Sequence, residues 1–353
     1  MMRLPNNTLL LVIVAVAVVV LLFFPWKGEA FNTWSLDRKA TSQPGRPTIF
    51  VSVASYRDEQ CAKTLRDLYA KATHPERVFV GAVEQNSDAV AEQCLAGETP
   101  VPSKQIRRLS IPHTEAKGPC YARYLASTLF RGESLFMQID SHTTFVPGWD
   151  EKVVNEINAC PDPTKAIISM YPNDDKEYTT STAQIPVMCG SKFNSEGLPI
   201  FEAAMKSASY VGSKPRENAF IAGGFFCAPG RFVRDVPFDP SLDHLFQGEE
   251  ILLSARAYTN GYNIYTPRVN ICLHAYLREE SPKFWNDVNK DEYTRMKKQS
   301  EARARRILGL EQPAIEPGTD NFGLGTARSI TAFWNHAGIN PGGRETDKIK
   351  FCK

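Results

Sequence analysis

The sequence lacks the features that mark several classes of protein. Its 41 basic and 39 acidic residues nearly balance, so no overall electrostatic field favours a nucleic acid as a partner. None of the eight cysteines belongs to a C-x-x-C pair, which leaves a zinc ribbon unsupported. There is no internal repeat, no low-complexity segment and no Asn-x-Ser/Thr glycosylation acceptor after residue 26. What remains is an ordinary globular composition over 353 residues, enough for one large domain or two small ones beyond any targeting segment.

A long apolar run occupies the N-terminal region, from Thr8 to Trp26. It contains no charged residue and approaches the ~20 residues that a membrane-spanning helix requires. The run is longer than the apolar core of a signal peptide, and residues 27–30 form a poor cleavage site, so a retained signal anchor is favoured over a cleaved leader. We therefore expect a cytoplasmic tail over residues 1–7, a transmembrane helix over 8–26, a stem over 27–46 and a lumenal domain over 47–353.

The expected location follows from the residues that flank this anchor. Arg3 and the amino group precede it and Lys27 follows it, a balance that favours a cytoplasmic N-terminus and a single-pass type II orientation. As a membrane span the run is at the short end of the range, which suits the thin bilayer of the Golgi, with the endoplasmic reticulum as the alternative. In an oxidising lumen the cysteines can pair, although those within apolar segments are more typical of buried free thiols.

Two β-rich runs flank a helical pattern near the start of the expected domain. Residues 48–54 and 77–83 are typical of strands, and between them Cys61, Leu65 and Leu68 recur at helical spacing. A strand, a helix and a strand at this spacing indicate a parallel βαβ unit and an α/β fold.

Polar residues follow both predicted strands. Tyr56 and Arg57 come after the first strand, and Glu84 and Asn86 come after the second. Because the carboxyl ends of parallel strands share one edge of a sheet, these side chains predict a nucleoside site, with the tyrosine stacking and the others hydrogen bonding. The alternative for each residue is an ordinary place in a strand-end loop.

A third apolar run, beginning at Leu135, ends in Asp140-Ser141-His142. Such a run fits a strand buried on both faces, and ligands bind beyond the carboxyl ends of such strands. A carboxylate and an imidazole two residues apart can both turn toward one divalent ion, although the same triplet arises by chance in surface loops. His274, at the end of a later β-rich run, is a candidate third ligand for Mn²⁺. Its alternative is a hydrogen-bonded histidine beside a strand.

Three further features of the chain are candidates for the site. Gly223-Gly224 interrupts a strand predicted over residues 219–228, and the close approach of a ligand or another chain would explain paired glycines there. Glu249 and Glu250 begin a predicted helix, where the helix dipole alone already favours acidic residues. Arg123 lies in a helix opened by a Gly-Pro pair, either as a surface arginine or as a partner of a diphosphate or of the acidic site.

One segment leaves two structural alternatives open. Residues 172–197 are polar and long for a connection between elements, which is typical of either a mobile lid or an insertion.

Together these stretches resemble the polypeptide α-N-acetylglucosaminyltransferases, over roughly residues 47–335. The chain is also similar, more distantly, to the polypeptide N-acetylgalactosaminyltransferases. The N-acetylgalactosaminyltransferases share several features with this chain: an Ala-Arg helix before an Asp-x-His triplet, a Gly-Gly strand, a Phe-Asp-Pro segment before Gly-Glu, and a later metal histidine. The stretches that carry the first resemblance are residues 51–58, 118–124, 138–142 with 148–150, and 323–326, and those that carry the second are residues 122–123, 140–142, 223–224, 238–240 and 248–249 with His274.

The resemblance implies a GT-A fold, which is a Rossmann-like α/β nucleotide-sugar-binding fold, with a nucleotide half over residues 47–159 and an acceptor and sugar half over 160–353. It implies a retaining transfer from a UDP-sugar, most typically UDP-GlcNAc, to a Ser, Thr or hydroxyproline of a polypeptide. Mn²⁺ or another divalent cation would be held by Asp140, His142 and His274. The residues expected to contact the UDP-sugar are Ser55, Tyr56, Arg57, Glu84, Arg123, Asp140, Ser141, Gly223, Gly224 and Glu249, with Glu249, Arg123 and Asp140 as the catalytic residues.

This chain departs from the pattern of the two families at two positions. The arginine that follows the last metal histidine is displaced by one residue, to Arg278. Glu250 replaces an asparagine of the galactosaminyl branch. Two other functions would use the same residues: a metal-dependent hydrolase of nucleotide sugars, and an inactive membrane-anchored carbohydrate-binding protein.

Overall fold

The computed structural model describes residues 46–96, 102–176, 184–278 and 281–353. The predicted cytoplasmic tail, the membrane anchor and all but the last residue of the stem lie outside these ranges. Within them, no helix combines the length and the apolarity that crossing a bilayer requires.

The described ranges contain fifteen strands and eight α-helices. The strands are β1 (Ile49–Tyr56), β2 (Val78–Asn86), β3 (Ile106–Pro112), β4 (Leu135–Asp140), β5 (Thr143–Phe145), β6 (Ala166–Ser169), β7 (Asn173–Asp174), β8 (Ile185–Phe193), β9 (Pro199–Lys206), β10 (Arg216–Asn218), β11 (Phe225–Pro229), β12 (Asn263–Thr266), β13 (Cys272–His274), β14 (Ile339–Asn340) and β15 (Glu345–Thr346). The helices are α1 (Cys61–Lys71), α2 (Pro119–Ser127), α3 (Trp149–Asn158), α4 (Ala208–Val211), α5 (Phe232–Asp235), α6 (Glu249–Thr259), α7 (Lys290–Ile307) and α8 (Ile330–Ala337).

The centre of the domain is a mixed eight-stranded sheet in the order β10-β12-β6-β11-β4-β1-β2-β3. Strands β4, β1, β2 and β3 are parallel neighbours, which confirms the predicted βαβ unit and the α/β class. β11 runs antiparallel between β4 and β6. Ala54 pairs with Asp140 and with Val83, so the carboxyl ends of β1, β2 and β4 reach the same edge of the sheet.

Alternating residues of β1 show why this sheet is buried on both faces. Val51 packs in one apolar cluster with Leu65 of α1 and with Trp149 of α3. Phe50 packs on the opposite face with Phe136, in a second cluster. Because successive side chains of a strand point to opposite faces, an apolar run without polar alternation requires a cover on each side.

The strand predicted over residues 219–228 is wrong in its first half. β11 begins at Phe225, and Gly223 and Gly224 form a turn before it, closed by an isolated bridge between Ala222 and Phe225. The backbone N–H groups ahead of the turn are taken by side chains: Ser254 Oγ accepts from Ile221 and Ser169 Oγ accepts from Ala222. These side-chain acceptors replace the partner strand that the apolar pattern suggested.

The open question over residues 172–197 is answered in part, because residues 177–183 lie outside the described ranges. β7 joins a three-stranded sheet with β13 and β5, and β8 pairs with β9 as a separate hairpin. A disulfide between Cys189 and Cys352 ties this hairpin to the C-terminus.

A second disulfide joins Cys61, the first residue of α1, to Cys94, 33 residues later. We expect a Cys61→Ala, Cys94→Ala double variant to lose about 3 to 4 kcal/mol of unfolding free energy, because the bridge restricts the unfolded chain. Urea unfolding would measure the loss. A Cys160→Ala variant, which removes a buried free thiol, controls for the lost side chains. Equal unfolding free energies for the two variants would show that Cys61 and Cys94 are not bridged in solution.

Candidate functional site

Three potential metal ligands converge at the shared edge of the sheet. Asp140 is the last residue of β4, and His142 lies two residues later. His274 is the last residue of β13, which pairs with β5, the strand that begins directly after the Asp140-Ser141-His142 triplet. The Nε2 atoms of His142 and His274 are 2.9 Å apart, and Asp140 Oδ2 lies 3.1 Å from His274 Nε2 and 4.0 Å from His142 Nε2. The ligand atoms of all three residues lie within 4.8 Å of one another.

The chemistry of this donor set fits a divalent cation. Two imidazoles and one carboxylate form a set that binds transition-metal ions and leaves coordination positions open. Asp58 Oδ2 lies 2.7 Å from His142 Nδ1, a contact that places the proton on Nδ1 and turns the Nε2 lone pair toward the other two ligands. An ion between the three groups would also relieve the close approach of two ring nitrogens.

Asp58 organises the layer behind the ligands, and the sequence had assigned it no role. Besides His142, its Oδ2 accepts from Ser141 Oγ at 2.7 Å and from Arg278 Nη1 at 3.1 Å. Burial alone would raise the pKa of Asp58, but the hydrogen bonds from His142 and Ser141 and the charge of Arg278 lower that pKa to about 2. Arg278, the displaced arginine, therefore lies on the second layer of the site.

We expect Asp58→Asn to weaken Mn²⁺ binding about 10- to 100-fold, since partners of metal-bound histidines contribute that much to affinity. An asparagine can present its amide nitrogen to His142 and no longer supplies a charge to fix the tautomer. Calorimetric titration with Mn²⁺ measures the effect. Asp162→Asn, which alters a carboxylate in the turn before β6, is the matched control. An unchanged affinity in Asp58→Asn would remove Asp58 from the site.

Arg123 is buried between two carboxylates. Its side chain donates to Asp140 Oδ1 at 2.9 Å and to Glu249 Oε2, and Arg123 and Glu249 are only 7% and 8% exposed. Burial would lower the pKa of Arg123, but Glu249 and Asp140 hold it above its usual value. The pKa of Asp140 lies well below its usual value despite burial, because His274 hydrogen-bonds to it and Arg123 is close by. The alternative of a surface arginine is therefore wrong.

The Gly223-Gly224 turn lies against the side chains of Arg123 and Asp140. A Cβ atom on Gly223 would come within 3.1 Å of Arg123 Nη1, and one on Gly224 within 3.2 Å of Asp140 Oδ2. Both distances are tighter than side chains normally tolerate. The close approach that the paired glycines predicted is therefore made by side chains of this chain.

The residues predicted for the nucleoside are placed at the expected edge but have partners of their own. Tyr56 Oη donates to Asp287 Oδ2 at 2.5 Å, and Arg57 donates to Asp287 at 2.8 Å and to Glu92 at 3.0 Å. Glu84, which is 1% exposed, accepts from the backbone N–H of Cys94 and from Arg108. Ser55 Oγ is buried and has no hydrogen-bond partner in the described part of the chain.

A pocket of about 460 Å³ opens at the carboxyl ends of β2 and β3. Its walls include Glu84, Asn86, Arg108, Ser110 and His113. Arg108 and Ser110, both in β3, were not predicted for this edge, because no motif in the sequence distinguishes them from other polar residues. The nucleoside site stays a prediction, and this pocket is where we expect the nucleoside to bind.

Most of the described domain is similar to known glycosyltransferases. A family model described as "Glycosyltransferase (GlcNAc)" matches residues 48–102 and 92–342. No curated protein matches the sequence. A structure of GalNAc-T7 with UDP, GalNAc and Mn²⁺ is similar with a TM-score of 0.55 and 12% identity, covering 83% of this chain and 57% of that one. This chain thus spans little more than half the length of GalNAc-T7.

Two other solved structures are similar at lower scores. The mannosyltransferase PcManGT from Pyrobaculum calidifontis, in complex with GDP-Man and Mn²⁺, has a TM-score of 0.41 and 15% identity over 67% of this chain and 59% of that one. TarS of S. aureus with UDP-GlcNAc has a TM-score of 0.43 and 12% identity over 73% of this chain and 72% of that one. At 12% identity, the likeness to GalNAc-T7 shows the fold alone.

Proposed function

The chain belongs to the GlcNAc glycosyltransferase family and has a GT-A-like α/β fold, and from that premise we propose its reaction. It transfers a sugar, GlcNAc, from a UDP-sugar to a Ser, Thr or hydroxyproline hydroxyl of a polypeptide, with retention of anomeric configuration and with Mn²⁺ or another divalent cation. The observation that carries the proposal is the convergence of Asp140, His142 and His274 beside the buried pair of Arg123 and Glu249. GalNAc-T7, which shares the fold, was solved with UDP, GalNAc and Mn²⁺.

The site residues divide the work of breaking the bond between sugar and phosphate. Asp140, His142 and His274 would hold the ion, which when bound stabilises the negative charge of the leaving phosphate as a Lewis acid. Arg123 supplies a cation that is already desolvated and fixed by its two carboxylates, so it needs no reorganisation as that charge develops. Glu249 Oε2 accepts a hydrogen bond from Arg123, and we propose that Oε1 accepts one from a hydroxyl of the sugar.

The state of the carboxylates supports a retaining transfer that forms no covalent intermediate. Asp140 and Glu249 are paired with Arg123, and Asp58 is paired with His142 and Arg278. A carboxylate engaged in this way is a poor nucleophile. We therefore propose that the acceptor hydroxyl attacks from the face of the departing phosphate and gives its proton to a phosphate oxygen.

We also propose that the protein is a single-pass type II protein of the Golgi membrane with this domain in the lumen. The anchor over residues 8–26 rests on the sequence. The disulfides Cys61–Cys94 and Cys189–Cys352 in the described domain are typical of proteins in an oxidising compartment.

One assay tests the proposed reaction against its alternatives. The detergent-solubilised full chain is incubated with Mn²⁺, a panel of UDP-sugars, and peptides rich in Thr or in hydroxyproline. A peptide mass increase equal to one N-acetylhexosamine that needs UDP-GlcNAc supports the proposal. Release of UDP and free sugar without peptide modification would indicate a hydrolase. Binding of the UDP-sugar without turnover would indicate an inactive carbohydrate-binding protein.

A further inference from the structure

Glu250 holds the Gly223-Gly224 turn through the backbone N–H of Gly223. Its Oε1 accepts from the Gly223 backbone N–H at 2.7 Å, and its Oε2 accepts from the Tyr171 hydroxyl at 2.6 Å. The Gly223 carbonyl accepts from Gln138 Nε2, also at 2.7 Å. The backbone N–H and carbonyl of Gly223 are thus both fixed by side chains, while the turn itself lies close to Arg123 and Asp140.

The charge on Glu250 determines how firmly this turn is held. A backbone N–H bonded to a carboxylate makes a stronger hydrogen bond than one bonded to a neutral carboxyl group. A protonated Glu250 must turn one oxygen into a donor, and only the tyrosine hydroxyl can reverse its role, because the N–H of Gly223 cannot accept. Protonation therefore weakens the bond that positions the turn.

We propose that Glu250 is a positioning residue of the donor site, whose carboxylate form, set by Tyr171, holds the Gly223-Gly224 turn against Arg123 and Asp140. This inference rests on the proposed function, since it assumes that the turn lines the UDP-sugar site. Loss of the carboxylate form lets the turn move and weakens the contact between the donor and Arg123. Glu250 acts through the turn and is not assigned a contact with the reacting atoms.

The surroundings of Glu250 place its protonation within reach of experiment. Burial raises the pKa of Glu250 to about 7, against the lowering effect of the hydrogen bonds from Gly223 and Tyr171. The other charged and titratable groups near it are Glu249, which raises the pKa, Arg123, which lowers it, and Tyr276. Because the carboxylate form prevails above about pH 7, positioning is complete there and is lost as the pH falls through that value.

The test is a pH profile of kcat/KM for the UDP-sugar, together with its Kd measured by calorimetry without an acceptor. In the wild type, both quantities should worsen about tenfold between pH 7.5 and 5.5. Glu250→Gln should resemble the wild type at low pH and should lose the limb near pH 7. Tyr171→Phe should move the limb to higher pH, because the carboxylate loses one of its donors.

Controls separate this limb from other sources. Protons also compete with metal for His142 and His274, but that limb moves to lower pH as Mn²⁺ is raised, whereas a Glu250 limb does not. Glu202→Gln, on the β8–β9 hairpin where it pairs with Lys192, should keep the wild-type profile. An unchanged acid limb in Glu250→Gln, or an equal loss at every pH, would overturn the inference.

The Kd profile keeps this test separate from the proposed reaction. A wild type that modifies no peptide would contradict the polypeptide acceptor, while the pH dependence of donor binding would still decide the role of Glu250.

Discussion

Replacing Asp140 with asparagine should abolish sugar transfer, by at least about a thousandfold, while the protein stays folded. Asp140 is the carboxylate on which three cationic or metal-binding groups meet, namely Arg123, His142 and His274. Asparagine keeps the shape but removes the charge that an ion and the guanidinium share. Folding is retained because Arg123 still has Glu249 as a partner and because Asp140 lies at the end of its strand.

The measurement combines peptide mass after reaction, Mn²⁺ titration and circular dichroism. His142→Ala should show the same loss of transfer, since it removes one of the two imidazoles. Asp162→Asn is the matched control for a lost carboxylate and should transfer sugar at the wild-type rate. Wild-type activity in either Asp140→Asn or His142→Ala would rule out the metal site.

Removing the side chain of Arg123 should affect stability as well as activity. Arg123→Ala leaves the carboxylates of Asp140 and of the buried Glu249 without their cation, and breaking a buried ion pair such as Arg123–Glu249 in this way costs about 3 to 5 kcal/mol. Transfer should fall about 100- to 1000-fold in the protein that remains folded, because a fixed cation is lost beside the leaving group. Urea unfolding and initial rates measure the two effects separately.

The double variant Arg123→Ala, Glu249→Gln identifies the source of the instability. Neutralising Glu249 removes one of the two uncompensated charges, so the double variant should recover part of the lost stability but none of the activity. Arg123→Lys should not rescue transfer, because an ammonium lacks the planar fork that reaches two carboxylates at once. Equal stability of Arg123→Ala and the wild type would mean that the ionic pair does not form in solution.

The elements predicted correctly share one property: their signal is local in the sequence. The apolar runs that became β1, β2 and β4 carry their burial in consecutive residues, so the parallel core could be inferred. The family resemblance then selected Asp140, His142 and His274 from distant positions, and the structure places them together.

What could not be predicted depends on contacts between distant residues. Asp58 and His142 are 84 residues apart, and Tyr56 and Asp287 are 231 apart. No periodicity reports such a pair. The error over residues 219–228 has a related cause, because the backbone there is satisfied by Ser169 and by two residues of one distant helix, Glu250 and Ser254. Side chains that substitute for a partner strand leave the local apolar pattern unchanged.

The reversed direction of β11 has a consequence for how this enzyme family can diversify. A parallel strand in the position of β11 would end at the site and offer side chains to it. The antiparallel β11 begins at the site instead, so the groups that precede it at the edge of the sheet are the peptide groups of Gly223 and Gly224. This turn has no side chains to substitute, and a Cβ atom at either glycine would crowd Arg123 or Asp140. Under the proposed function, in which this turn lines the donor site, a change of donor sugar must therefore come from the side chains around the turn and not from the turn itself.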